Sequence, residues 1–413
     1  MLFKDILLYI RLWINLSHKT SRKLDIIDLF FILITIFSSV IILTMFHQLS
    51  LSEKELNNLF YNNHFFFEFL RTLIKFFGTN AFVLKLPLLI LHILNLMLLY
   101  GICRHTLKNK SHSLICIMIY ILLPGVNLSA ILLIECSWII FLTFFVGYIY
   151  TRYQKIPIIL LAILSIATSG ATILLIAIAI FSLKNKQNKI FIFCIACLAI
   201  NWYLYDFDIG GKPQAYFLET LAQIAILYSP LLFIYYAYSI YWSLRHQNTI
   251  LPYIAATSIV FCIILSLRQN INFYILIPQS LVALPIMIQC FMNDLKVRLP
   301  QFRKNHYVFA SLILLFLVLQ TSVIFGNKIT YLFSNKPNFA SNYYFAKEIA
   351  MELKKLNINA IHTTSPSLRK QLAFYGIKDN KNLILLPSKS LKKSDIIISY
   401  NNTPIYLFQI YKK

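Results

Sequence analysis

Between Leu73 and Asn109 the chain reads LIKFFGTNAFVLKLPLLILHILNLMLLYGICRHTLKN. No Asp, Glu, Lys or Arg occurs between Lys85 and Arg104, so residues 86–103 form an apolar run able to cross a hydrocarbon core as a helix. The run closes on Arg104, Lys108 and Lys110, the kind of basic turn that holds a connector on the cytoplasmic side. Upstream, Phe77–Gly78 ends an aromatic segment. One stretch thus holds a surface segment, a membrane entry, a span and an exit.

The whole chain repeats that grammar. Of 413 residues 59% are hydrophobic and only 13% charged, and the mean hydropathy is +0.69. A soluble domain carries about a quarter charged residues, so the composition belongs to the membrane class. Spans are expected at about 25–47, 86–103, 112–124, 131–150, 156–168, 170–183, 189–205, 221–243, 249–267, 271–292 and 308–326. The run beginning near Ile26 is long and follows a basic, amphipathic segment, which argues against a cleavable signal peptide. Residues 1–24 read as a cytoplasmic segment lying on the membrane.

The net charge of +23 does not point to nucleic acid, because it lies between apolar runs and in the tail. With the N-terminus inside, the inner connectors and the first segment hold 18 Lys and Arg. The outer connectors hold six: Lys54, Arg71, Lys75, Lys85, Lys212 and Arg268. Eleven spans then put residues 327–413 outside. Those residues read as a small soluble α/β or α+β domain: "SNYYFAKEIAMELKKL" and "SPSLRKQLAFYGI" as helices, the second capped by Ser365 ahead of Pro366. "INAIHT", "NLILLP", "DIIISY" and "PIYLFQI" read as strands. The Lys- and Asn-rich, Gly-poor composition suggests an AT-rich bacterial genome, making the membrane a cytoplasmic one and its outer side the periplasm or cell exterior. The seven cysteines fall in or beside apolar runs, and Cys194–Cys197 reads as helix packing rather than a metal or redox pair.

The outer connector from about 48 to 85 is the only long one among the early spans. In "NNHFFFEFLRTLIKFFG", Phe65, Phe66, Phe69, Leu70, Leu73, Ile74 and Phe77 recur at helical spacing, as in a helix lying in the membrane interface. Before it, "SEKEL" places Glu53 and Glu55 two residues apart, either as a solvated loop or as working acids.

The order Phe77–Gly78, Lys85–Leu86–Pro87 and Leu98–Leu99–Tyr100 resembles the polyprenol-dependent glycosyltransferases of the GT-C fold, most of all the protein-mannosyltransferase and lipid A aminoarabinose-transferase type. "ICIMIYILLPGVNLSAILLIECSWIIFLTFFVGYIY", with Pro124 and Glu135, is similar to that family's next helix pair, and "RQNINFYILIPQSLVAL" to a late outer-edge segment. The chain departs from the family's pattern in four places, one of them Thr168–Ser169–Gly170 where the family often has a lysine after its fifth span. It has Ser52–Glu53–Lys54–Glu55 for Asp-Glu, Asn63–His64–Phe65–Phe66 for H-P-P-L, and Glu135 for the usual Asp.

The resemblance implies an all-α polytopic membrane domain over residues 25–326, with about 11 transmembrane helices and a catalytic loop in 48–85. It implies transfer of a sugar from a polyprenyl-phosphate donor to a lipid, glycan or protein at the outer face. A carboxylate takes the proton of the acceptor hydroxyl, and basic groups or a divalent cation steady the leaving phosphate. Glu53 and Glu55 are the base candidates. Glu135, placed in or near hydrocarbon, is either a second acid or a protonated helix cap. His64 is a substrate or metal contact, or structural. Arg71, Lys85 and Arg268 share the outer face as phosphate contacts, the last two alternatively as snorkelling anchors. Asp206 and Asp208 bind a cation or acceptor, or form a polar turn. Two other functions fit the composition: a lipid-linked sugar transporter or flippase, and a non-catalytic assembly partner.

Overall fold

The structure is a computed structural model that describes residues 25–205, 216–271, 273–332, 338, 340–388, 395–400 and 403–412. The segment 1–24 and the pair Asp206 and Asp208 lie outside the described residues.

The apolar runs fold as helices, because in hydrocarbon each backbone N–H and C=O must find its partner within its own segment. Five described helices are long and apolar enough to cross a membrane: Ile26–Gln48, Ala81–Thr106, Asn188–Tyr205, Tyr274–Val297 and Pro300–Phe325. Two bent pairs raise the number to seven if each counts as one span. The expected spans at 156–168, 170–183 and 249–267 fold as shorter helices, Ile158–Ala167, Ala171–Lys184 and Ile250–Ser266. The architecture is that of a helical membrane protein with a small C-terminal sheet.

Both bends occur at a proline. Leu123 is extended ahead of Pro124, and the helices Lys110–Leu122 and Pro124–Ile131 meet at 63°. The expected continuous span at 221–243 is instead two helices, Tyr216–Tyr228 and Pro230–His246, at 96°. Ser229 between them takes a positive φ of 70° and the Pro230 ring begins a new first turn, so the run is apolar throughout but not straight. The expected break at Ser169–Gly170 is present between Ile158–Ala167 and Ala171–Lys184.

Small residues and buried polar side chains join the helices. A Cβ on Gly101 would lie 2.6 Å from the Tyr148 ring, which brings Ala81–Thr106 close to Cys136–Tyr153. The same two helices are tied by the Asn95 Nδ2 bond to the Ser137 carbonyl at 3.2 Å. His92 Nε2 meets Ser38 Oγ at 2.9 Å, fixing the first helix against them. All seven cysteines are free and buried, in line with their reading as packing residues.

Polar connectors sort to two ends of the bundle. One end gathers the Arg104–Asp28 pair at 3.2 Å, the Lys110–Asp25 pair and the Asn248–Asn185 bond. The other holds the 48–80 connector, residues 132–135, Tyr205 and the C-terminal domain. The connector is two helices rather than a loop: Glu53–Tyr61 and Phe65–Phe77. The second is amphipathic as expected, but its buried residues are Phe66, Phe67 and Leu70. Phe65, Phe69, Phe76 and Phe77 are exposed, so only part of the apolar set turns to the bundle.

In the C-terminal domain, helices Phe345–Lys355 and Pro366–Phe374 pack with a mixed four-stranded sheet of order β1-β2-β4-β3. The strands are His362–Thr363, Leu383–Pro387, Ile396–Tyr400 and Thr403–Lys412. Among the described strands β1 and β2 run parallel and the other pairs antiparallel. Ser365 caps the second helix through the Leu368 N–H. Far from standing free in solvent, the domain is seated on the connector. Met45, Leu49 and Ile131 share its apolar core, while Phe374 enters the core beneath the connector helices.

Candidate functional site

Ser52 to Glu55 form a reciprocal helix cap. The Ser52 side chain accepts the Glu55 N–H, while Glu55 Oε2 accepts the Ser52 N–H at 2.7 Å and its hydroxyl at 2.8 Å. Glu55 Oε1 accepts the backbone N–H of Leu133 at 2.7 Å. Both oxygens of this carboxylate are therefore occupied by donors, and the residue is buried. Tyr343 and Tyr375 pack nearby. Burial first, and the Glu55 charge second for Tyr343, push their hydroxyls up to about 12, so both remain neutral hydrogen-bonding groups. The Tyr375 oxygen accepts the Leu51 N–H at 3.1 Å.

Lys85 belongs to the same region. It is fully buried, its ammonium 5.9 Å from the Phe46 ring centre and within electrostatic reach of Glu55. Among the described residues its Nζ has no hydrogen-bond partner. Glu53 turns elsewhere, toward the C-terminal domain: Lys370 Nζ lies 3.4 Å from its carboxylate and 3.1 Å from Asn57 Oδ1.

A second acid centre lies at the other end of the same short helix. Glu135 precedes the helix Cys136–Tyr153, where the helix dipole favours a carboxylate. It is 6% exposed. Its Oε1 accepts Asn62 Nδ2 at 3.2 Å and sits 2.5 Å from His64 Nδ1, a close approach without the geometry of a hydrogen bond. Asn62 also accepts the His64 N–H at 2.9 Å, so one amide sets both the carboxylate and the backbone that carries the imidazole. Arg71 donates to the carbonyls of Leu59 at 3.1 Å and Asn62 at 2.7 Å, closing the C-terminal end of Glu53–Tyr61. The Tyr205 ring stands edge-on to His64 at 5.6 Å.

Above this pair opens a cleft of about 610 Å³, lined by Asn57, Asn58, Tyr61, Asn62, Asn63 and His64, with Leu204 and Tyr205 opposite. An imidazole facing polar space, backed by a buried carboxylate, can take up a proton while the carboxylate stabilises the cation that forms.

The structure thus gathers the residues singled out in the sequence into two groups. Glu135 and His64 meet, with Arg71 supporting their loop; Glu55 and Lys85 lie within electrostatic reach of each other without forming an ion pair. Glu53 is apart from both. Arg268 lies on the turn after Ile250–Ser266, its N–H bonded to the Leu265 carbonyl, and does not line the cleft. Among the described residues no three His, Cys, Asp or Glu side chains converge as metal ligands. Compared with known proteins, the sequence matches no protein-family model and no curated relative.

Sequence reasoning missed Asn62, the cleft asparagines and the contacts of Lys370, Gln371 and Tyr375. The role of Glu55 was available in the sequence as Ser-x-x-Glu ahead of an apolar position, the signature of a capping box.

Proposed function

We propose that this chain is a membrane glycosyltransferase that moves a sugar from a polyprenyl-phosphate donor to an acceptor outside the cytoplasmic membrane. The connector end of the bundle and the C-terminal domain face outward in this reading. The observation that carries it is the Glu135–His64 pair beneath an open polar cleft. His64 takes the acceptor proton as the acceptor oxygen bonds to the anomeric carbon. The bond from that carbon to phosphate breaks, and the polyprenyl phosphate leaves with the electron pair. Glu135 stabilises the imidazolium. Lys85, buried and without a hydrogen-bond partner among the described residues, and Arg268 do not line this cleft; as contacts to the leaving phosphate, with or without a divalent cation, they require the donor to sit beside it.

A non-catalytic role as an assembly partner is the second reading. It is favoured by the full occupation of Glu55, which leaves the connector acids to structural work. One experiment separates the two. Intact masses of surface glycolipids and glycoproteins are compared between cells lacking the gene and cells restored with wild type, Glu135→Gln or His64→Ala at equal membrane abundance. A sugar-sized mass restored by wild type and not by either variant supports transfer at this pair. An unchanged mass profile on deletion, with the protein expressed, overturns the transferase reading.

A further inference from the structure

We infer that the cleft over Glu135 and His64 is a binding site for an uncharged saccharide, so that the acceptor presents a neutral sugar rather than a phosphate or a peptide. This rests on the transferase reading only for the word acceptor; the binding site is argued from the cleft itself. Asn57, Asn58, Asn62 and Asn63 line one wall. Each amide offers donors and an acceptor in one side chain, matching sugar hydroxyls that both give and accept hydrogen bonds. Tyr61 and Tyr205 flank the amides, and Tyr61 is 77% exposed. Aromatic rings with a polar tip suit the C–H faces of a pyranose. Among the described residues no Lys or Arg lines the cleft, and a phosphate group finds no fixed cation on these walls. Two basic side chains of the surrounding elements are committed, Arg71 to two carbonyls and Lys370 to Glu53 and Asn57. The cleft is also too open and polar for an acyl chain, being bordered by amides rather than by the aliphatic residues of the bundle interior.

Two features give the saccharide a direction. Asn57 and Asn62 already hold contacts within the protein, which fixes their amides before any ligand arrives. Asn58 and Asn63 complete the wall, the second next to His64 in the chain. A hydroxyl bound along this wall is carried toward the imidazole.

The test uses the full chain in lipid nanodiscs and saturation-transfer NMR with methyl glycosides of glucose, galactose, mannose and N-acetylglucosamine. Glucose 1-phosphate and a blocked Ala-Thr-Ala peptide are competitors. The expected result is transfer to at least one neutral glycoside, undisturbed by either competitor. Binding should weaken about tenfold in Asn58→Leu and in Asn63→Leu, the loss of about one net hydrogen bond each. Tyr61→Ala removes a flanking ring by a surface change and serves as a variant that leaves the amides in place; it should weaken binding by a similar factor. No signal from any neutral glycoside with wild type, or signals equal in wild type and all three wall variants, overturns the inference. Displacement by the sugar phosphate or the peptide assigns the cleft to that class and overturns it too. Saccharide binding without any sugar-sized mass change in cells leaves this site standing and removes the transferase reading. A mass change on peptide, with no glycoside bound, does the reverse.

Discussion

Glu55 accepts the backbone N–H of Leu133 at 2.7 Å, joining the connector to the segment that leads into Glu135. With its other oxygen it closes the cap of its own helix. Replacing it by Gln leaves one acceptor for three donors. Each buried donor left unmade costs about 1–3 kcal/mol. Glu55→Gln is therefore expected to lower the thermal unfolding midpoint in detergent while transfer per folded molecule stays near wild type. Lost transfer with an unchanged midpoint would make Glu55 the base instead.

The opposite split is expected at the other acid. Glu135→Gln keeps the volume and the Asn62 contact but removes the charge facing His64. His64→Ala removes the proton acceptor. Each should reduce transfer about 100-fold or more, the usual worth of a positioned base, with small effects on unfolding. Equal transfer by wild type and His64→Ala, measured as restored mass in cells, would remove the imidazole from the mechanism.

Lys85 tests the meaning of a buried cation. An apolar residue of similar length in its place avoids the desolvation of an ammonium that finds no hydrogen bond. Lys85→Met should leave the midpoint unchanged or raise it. If Lys85 holds the leaving phosphate, transfer falls in the same variant. A stable variant with full transfer would confine this lysine to packing.

Gln371 and Lys370 predict how the C-terminal domain is held. Gln371 is buried and donates to the carbonyls of Leu51 at 2.9 Å and Asn342 at 3.3 Å. Gln371→Leu leaves both without that donor, and faster proteolytic release of the domain is the expected outcome. Lys370→Ala removes a half-exposed pair with Glu53, worth about 1 kcal/mol or less. Its release rate should stay close to wild type.

The legible parts of this molecule were those written locally. The span 86–103 and the helix 65–77 follow from composition and spacing, and Ser365–Pro366 announced its helix. Which side of the 65–77 helix meets the bundle was not written locally, because seven apolar residues leave several stripes open; Phe66, Phe67 and Leu70 join the core that holds Leu84 and Leu88. The bend at Ser229 was hidden by an unbroken apolar run, although Pro230 marked it. The pairing of His64 with Glu135 joins residues far apart in the chain, and no local pattern encodes such a contact. Gln371 and Tyr375 looked like ordinary helix and turn residues until a neighbouring domain surface gave them partners.

The nine-residue helix Glu53–Tyr61 has a mechanical consequence. It is a rod about 14 Å long at 1.5 Å per residue. One end is bolted to Leu133 and, through Lys370, to the C-terminal domain; the other carries Asn62 and the imidazole loop. A rod this short does not absorb a push by bending. The same short helix therefore carries a contact to the C-terminal domain at one end and the residues that hold His64 against Glu135 at the other.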